Sequence, residues 1–382
     1  MSTSAKEIVK HKREKLGLTK KEFADALNMP KNGERILSQW ENGEKIPSPS
    51  ELNNVIDFPE QAPYPTNDKA PYSLIDLFAG IGGIRLGFEQ TGKVQTVFSS
   101  EIDKFAIKTY KANFNDTPHG DITEINTETI PDHDILVGGF PCQAFSQAGL
   151  KKGFEDTRGT LFFHIARILK EKQPQAFLLE NVKNLRSHDK GNTLNTIMKT
   201  LDEIDYNAQY EVLKARDFGV PQNRERIYIV GFRKDINATD FKYPAPLDIQ
   251  TKLGNILETN VDEKYTISDK LWQGHQRRKA EHKAAGKGFG YTLFNADSPY
   301  TNTISARYYK DGSEILIEQE NKNPRRLTPR EAARLQGFPN DFIITVSDSQ
   351  AYKQFGNSVA VPVVRAIAEN IIKVLDQQDQ HN

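Results

Sequence analysis

The residues best suited to covalent chemistry stand at the ends of short apolar runs. Asp134-Ile-Leu-Val-Gly-Gly-Phe-Pro-Cys-Gln143 passes from an apolar strand into two glycines and a proline and then presents Cys142, the one cysteine among 382 residues. A lone cysteine is ordinarily a small buried hydrophobe. This one follows Pro141, which fixes the turn, where a strand of an open α/β sheet would end, and such sheets bind ligands in crevices outside the carboxyl ends of their strands. The thiolate is the nucleophile, so the site must lower the thiol's pKa or supply a proton acceptor. Glu180, in Leu178-Leu-Glu-Asn-Val182, ends another apolar run, where burial would raise its pKa and let it deliver a proton near neutrality. In Gln222-Asn-Arg-Glu-Arg226, Arg224 and Arg226 share one side of an extended segment, because side chains two apart point the same way. The pair can hold a pyrimidine carbonyl or anchor a carboxylate, and either arginine can equally be a surface ion pair.

Elements of alternating type must position these groups. From Tyr72 onward the pattern predicts strands over 73–78, 94–99, 134–139, 176–179 and 226–230, with helices over 84–90, 105–113, 162–170 and 194–204. That rhythm implies an α/β fold with a mainly parallel sheet covered on both faces. The first strand leads into Asp76-Leu-Phe-Ala-Gly-Ile-Gly-Gly-Ile-Arg-Leu-Gly87, whose glycines permit a tight strand-to-helix turn and close approach of a ligand. About 20 residues on, Glu101 ends the second strand, where an acid can accept hydrogen bonds from a ribose diol. Turn, spacing and acid favour an adenosine-containing cofactor. Asp121, in Gly120-Asp-Ile-Thr123, is a second acid at an expected strand end, suited to an adenine amino group, with a helix N-cap as the other reading. The stretch 143–158, glycine-bearing and polar, reads as a lid.

Ahead of this lies a helical unit over residues 1–57. Thr19 followed by Glu22 is a capping-box pattern that places Phe23, Ala26 and Leu27 on one face, and a second helix through Arg35-Ile-Leu-Ser-Gln-Trp-Glu41 stops at Asn42-Gly43. The unit resembles a helix-turn-helix of the repressor type, with Arg35, Ser38 and Gln39 as candidates to face DNA; the other reading is a helical protein-contact module with Trp40 in its core. Residues 58–71 carry four prolines and little that could pack, and read as a linker.

Composition narrows the classes. One cysteine excludes a disulfide framework or a Cys-rich zinc site, and eight scattered His offer no ligand spacing, so no metal is expected. The start carries no signal-peptide pattern and no apolar run reaches a membrane span, which predicts a cytoplasmic protein. The 51 Lys and Arg balance 51 Asp and Glu over the whole chain, yet residues 264–334 hold 14 against 8, a basic segment or a solvated face.

Taken together, the 76–87 turn, Pro141-Cys-Gln143, Glu180-Asn-Val182, Gln222–Arg226 and Gln354-Phe-Gly-Asn-Ser-Val359 occur in the order of the cytosine-5 DNA methyltransferases. From Tyr72 to its C-terminus the chain closely resembles the bacterial modification enzymes of type II restriction systems. The resemblance implies a Rossmann-like S-adenosylmethionine-dependent methyltransferase fold over 72–250, completed by 350–382, with a smaller target-recognition domain over 254–345. It implies that Cys142 attacks C6 of a flipped cytosine, that Glu180 contacts and protonates N3, that Arg226 holds O2 and that Arg224 steadies the carboxylate and loop. S-adenosylmethionine would lie against Phe78, Gly80, Ile81, Gly83, Glu101, Ile102, Asp121, Ile122, Pro141 and Leu161, with Asn357, Ser358 and Val359 closing the pocket. Base flipping carries a cost of a few kcal/mol. A C-terminal helix over 361–375 would pack back on the sheet. Lys287-Gly-Phe-Gly-Tyr291 and Ala306-Arg-Tyr-Tyr-Lys310 look like the recognition region of enzymes acting on CCNGG or CCWGG, so the inner cytosine of a CCNGG-like duplex site is expected, with Arg307, Tyr308 and Lys310 facing DNA and Arg307 reading guanine or gripping a phosphate. Some members of that subgroup carry an N-terminal helix-turn-helix that represses their own operon, which implies operator DNA as a second partner, a cognate restriction endonuclease as a functional one, a monomer on the target site and a possible dimer on the operator. The competing readings are a tRNA cytosine-5 methyltransferase and a DNA-binding regulator without catalysis.

Overall fold

A computed structural model describes residues 4–27, 29–140, 161–288 and 290–379. The expectations placed on Pro141, Cys142 and the lid over 143–158 fall outside these residues. Four helices open the chain: α1 (Ala5–Lys15), α2 (Lys20–Ala26), α3 (Gly33–Asn42) and α4 (Pro49–Ile56). Three begin with a reciprocal capping box, Ser4 with Glu7, Thr19 with Glu22 and Ser48 with Glu51, each satisfying backbone donors that a helix start leaves orphaned. Their apolar faces meet in a small core of Val9, Phe23, Leu37, Trp40 and Val55. Gly43 closes α3 in the left-handed conformation, the ending that glycine permits without a Cβ clash.

The central sheet has six strands in the order β2-β1-β3-β4-β6-β5: β1 (Tyr72–Leu77), β2 (Val94–Ser100), β3 (Ile135–Gly139), β4 (Ala176–Val182), β5 (Tyr206–Lys214) and β6 (Glu225–Arg233). β1 to β4 pair in parallel, and β6 runs against both of its neighbours. β5 goes beyond the strands expected from the sequence: as an edge strand it buries few of its residues, so it lacks the apolar run by which buried strands announce themselves. Between the strands come α5 (Gly83–Glu89), α6 (Lys104–Phe114), α7 (Leu161–Lys172) and α8 (Asn192–Glu203). Alternation along each strand sends Leu74, Val137 and Leu178 to one face, beneath α5 and the C-terminal helix, and Ile75, Leu136 and Leu179 to the other, beneath α7 and α8.

After the sheet come α9 (Asp269–Ala284), the two-residue strands β7 (Leu293–Phe294) and β8 (Leu316–Ile317), α10 (Pro329–Leu335), α11 (Asp348–Asn357) and α12 (Val361–Asp379). The last of these is the expected C-terminal helix, with Val364, Ile367 and Ile371 buried against the sheet. A third apolar cluster joins Ile81, Leu86 and Tyr110 to Ile304, Tyr308, Leu335 and Phe355, so one core crosses from the Gly-rich turn into the region after β6. No helix among the described residues is long and apolar enough to cross a membrane.

The proline-rich stretch 58–71 differs from its reading as a segment with little to pack. Phe58 meets Phe23 edge to face at 5.7 Å in the helical core. Tyr64 lies against Phe114 and Phe342, donates its N–H to the Asn113 carbonyl at 2.9 Å and its hydroxyl to Asp341, while Thr66 accepts from the buried guanidinium of Arg85. Glu22 of α2 pairs with Lys108 of α6. The segment is a strap, anchored over its first half by the rings of Phe58 and Tyr64, which composition alone does not flag.

Candidate active site

Strand register brings the candidate residues to one edge. Glu180 sits opposite Gly139 of β3 on one side and Tyr228 of β6 on the other. A Cβ on Gly139 would stand 3.4 Å from Glu180 Oε2, so the glycine two residues before Pro141 lies directly beside this carboxylate. Glu180 is buried, and burial raises its pKa against the lowering pull of Arg226 and then Arg224. Arg226 Nε lies 3.2 Å from Glu180 Oε1 and its Nη1 donates to the Glu225 carbonyl; Nη2 makes no bond among the described residues. The result is a carboxyl group that is oriented by a cation and yet retains its proton to a higher pH than an exposed glutamate.

Arg224 takes a different part from its neighbour two residues on. It is buried and donates to the carbonyls of Ile304 at 3.3 Å, Gly356 at 3.2 Å and Ser358 at 2.5 Å. Burial and the nearby Arg226 act against its charge, which the three carbonyls and Glu180 sustain. It thus acts on Glu180 through space while binding the C-terminal segment to the sheet edge. Gln222, fully buried, extends the same stitch: its amide donates to the Leu335 carbonyl and to Gln336, and accepts from Ile304 N–H. Asn181 donates to the Phe140 carbonyl at 2.8 Å and accepts from Val182 N–H, tying the end of β4 to the exit of β3. Neither Asn181 nor Gln222 has a role in the sequence reading. For Asn181 the signal is an apolar run of buried length that ends in an amide, a group that must find partners if buried; Gln222, in Val220-Pro-Gln-Asn-Arg224, carries no such signal.

A second cluster forms at the β1 turn. Phe78 holds φ 56°, a left-handed conformation rare outside glycine, and Gly80 follows with φ 55° and open space where a Cβ would stand. Glu101 is clamped there: Oε2 accepts from Gly80 N–H at 2.7 Å, and Oε1 from Ile102 and Asp103 N–H, each at 2.8 Å. Ile102 is 71 % exposed, an apolar side chain without cover beside this acid. Gly83 faces the C-terminal segment so closely that a Cβ would meet Ser358 Oγ at 2.6 Å and Val359 Cγ2 at 3.0 Å. Ile81, Ile122 and Val359 are buried, Asn357 is exposed at the end of α11, and Leu161 opens α7. Asp121 lies just past a one-residue bridge between His119 and Ser100, beyond any strand, with one oxygen accepting from Thr123 N–H and its pKa lowered by that bond. The arrangement suits a ligand with a diol at Glu101 and a flat apolar ring beside Ile102.

The candidate DNA-facing residues divide. Arg307 and Lys310 are exposed. Tyr308 is not available to DNA: it is 0 % exposed, donates its hydroxyl to the Ile315 carbonyl and accepts from Leu327 N–H, because a turn in this segment directs its ring into the third cluster. On α3, Leu37 and Trp40 face the core while Arg35 is exposed and Ser38 and Gln39 are partly so, with Ser38 accepting from Lys20 at 3.0 Å.

Against known proteins, a family model described as C-5 cytosine-specific DNA methylase matches residues 72–373, and a helix-turn-helix model matches residues 9–58. The chain is 69 % identical over 372 residues to the type II methyltransferase M1.ScrFI of Lactococcus lactis subsp. cremoris, covering 97 % of this chain and 96 % of that one. It is 66 % identical over 378 residues to the type II methyltransferase M.SsoII of Shigella sonnei, covering 98 % and 100 %. Among solved structures, the S. pombe Dnmt2 methyltransferase superposes with a TM-score of 0.65 at 18 % identity, over 80 % of this chain and 99 % of that one, a likeness of fold.

Proposed function

This chain belongs to the C-5 cytosine-specific DNA methylases, and from that premise we propose that it methylates C5 of the inner cytosine in duplex CCNGG sites through a covalent adduct of Cys142. The methyl mark would shield those sites from a partner restriction nuclease, in keeping with the type II relatives. The helical unit would bind operator DNA and repress the enzyme's own operon, in keeping with the match over residues 9–58.

The observation that carries the chemistry is the buried, cation-oriented carboxyl of Glu180, packed against Gly139 three residues before Cys142 in the chain. A cytosine drawn out of the duplex would present N3 to Glu180 and O2 to Nη2 of Arg226, which makes no bond among the described residues. As the Cys142 thiolate forms its bond to C6, the ring electrons would place negative charge on N3 and C5, and the Glu180 proton moves to N3 to neutralise it. C5 becomes the nucleophile of the second bond. Loss of the C5 proton to solvent then expels Cys142 as thiolate, and N3 returns its proton to Glu180. S-adenosylmethionine, when bound, supplies the electrophilic methyl group. Glu101 would take its ribose hydroxyls, Ile102 its adenine face and Asp121 the adenine amino group, while Gly80 leaves the backbone open to its approach. Gly83, Ser358 and Val359 close the far wall, held there by Arg224.

Transfer of labelled methyl to duplexes bearing CCAGG, CCTGG, CCCGG and CCGGG, beside a Cys142→Ser control, tests the reading. Labelling of all four, lost in the control, is expected. Labelling of the first two alone makes the site CCWGG, and full activity in the control removes Cys142 from the mechanism. Deletion of residues 1–57 should abolish retardation of promoter DNA; unchanged retardation would overturn the operator assignment.

A further inference from the structure

β4 does not end quietly. After Val182 the chain makes a short 3₁₀ turn, Lys183–Arg186, anchored by the buried side chain of Leu185. It then places three successive residues in the left-handed region: Asp189 (φ 48°, ψ 48°), Lys190 (φ 56°, ψ 27°) and Gly191 (φ 91°, ψ −8°). For the two that carry a Cβ this conformation costs about 1–2 kcal/mol each, so something must hold it. His188 Nδ1 shares a hydrogen with Thr193 Oγ1 at 2.7 Å, and Asn192 donates to Asp189 Oδ2 at 3.3 Å. The turn is therefore built, and Asp189, the one acid in it, is already engaged. Arg186 and Lys190 are exposed, and neither forms an ion pair or side-chain hydrogen bond among the described residues; Lys183, by contrast, is paired with Glu225.

We propose that this turn is a rest for the phosphodiester backbone of the target strand, with Arg186 and Lys190 gripping phosphates next to the extruded cytosine. The inference rests on the reading that Glu180 receives that cytosine. Lys183 follows Glu180 by three residues, within about 10 Å at the rise of an extended chain, so a nucleotide whose base meets Glu180 must carry its sugar and phosphates past this edge. Two cations without a partner among the described residues, on a strained, pinned support, match a polyanion. They lie outside the 254–345 region, so they grip without reading sequence.

The test uses the full-length enzyme with Arg186→Gln, Lys190→Gln and the double variant, measuring affinity for target and non-target duplexes as salt is raised, and methyl transfer in parallel. Each lost phosphate contact should reduce the slope of log affinity against log salt by about 0.9, so the double variant loses roughly tenfold less affinity than the parent between about 50 and 200 mM salt. Target and non-target duplexes should weaken by the same factor, the loss should fall on KM for DNA more than on kcat, and Arg186→Lys with Lys190→Arg should restore the slope. An unchanged slope in a double variant that melts like the parent, or a loss confined to the target sequence, overturns the proposal alone. Failure of the parent enzyme to methylate cytosine would overturn the reading beneath it as well.

Discussion

The carboxyl edge of the sheet and the N-terminal helical unit treat polar side chains in opposite ways. In the helical unit most act locally, as three capping boxes and exposed ion pairs, and the covered cations are matched, Lys12 by the Ile56 carbonyl and Glu60 and Arg13 by Glu41. At the sheet edge Glu180 and Arg224 are buried, and Asp76 at the end of β1 is buried with no hydrogen bond to either oxygen. Burying charge works against folding. The contrast separates an edge that gives up stability, where the proposed chemistry lies, from a unit whose polar groups are nearly all capped or paired.

The sharpest break of that contrast would be a substitution at the edge that removes function and leaves the fold intact. Glu180→Gln should lower methyl transfer by about 10²–10⁴-fold, the contribution of a placed general acid, with no fall in melting temperature, because a neutral amide replaces a buried acid. Arg226→Ala should move the alkaline limb of the rate profile to higher pH, since Arg226 holds the Glu180 pKa down and its loss lets the acid keep its proton longer. Arg224→Met should behave otherwise: three carbonyls lose their donor, and stability should fall by about 3 kcal/mol together with affinity for S-adenosylmethionine, read by urea melts and by titration.

Asp76 sharpens the same contrast through pH. Burial, first among its influences, pushes its pKa up to about 8, against about 3.9 in an unfolded chain. Between those values the folded protein keeps a proton that the unfolded chain releases, so this group's contribution to stability is full at low pH and declines as pH rises toward 8. Asp76→Asn should flatten that decline and raise the melting temperature at pH 8 relative to the parent. The smallest effect belongs to the helical unit. Thr19→Ala removes one cap, about 1 kcal/mol, and should loosen operator binding while methyl transfer proceeds as before.

The same contrast governs what could be read from the sequence. The Thr19 and Glu22 box is visible in four consecutive residues, as is the Gly43 stop. Glu180 was legible as an acid ending an apolar run. Its neighbours in space were not, because Gly139 and Arg226 reach it through strand register across more than forty residues. Asp76 lies inside the quoted turn, but its complete burial beside Arg85 comes from packing in space, which no local pattern marks. Tyr308 shows the limit of local resemblance: Arg307, Tyr308 and Lys310 form one stretch of sequence, yet an irregular segment can turn its middle residue inward, and no periodicity marks which one.

The strap between Phe58 and Thr66 has a consequence for any DNA that carries both an operator and a methylation site. A loose tether would let the two reading surfaces find such a pair at any separation within its reach, as an effective concentration that falls smoothly with distance. The rings of Phe58 and Tyr64, seated on the two units, would reduce that slack. If the helical unit reads an operator as proposed, the two surfaces would keep a narrower angular relation, and a duplex satisfying both would have to present its sites in rotational phase, returning once per turn of about 10.5 base pairs.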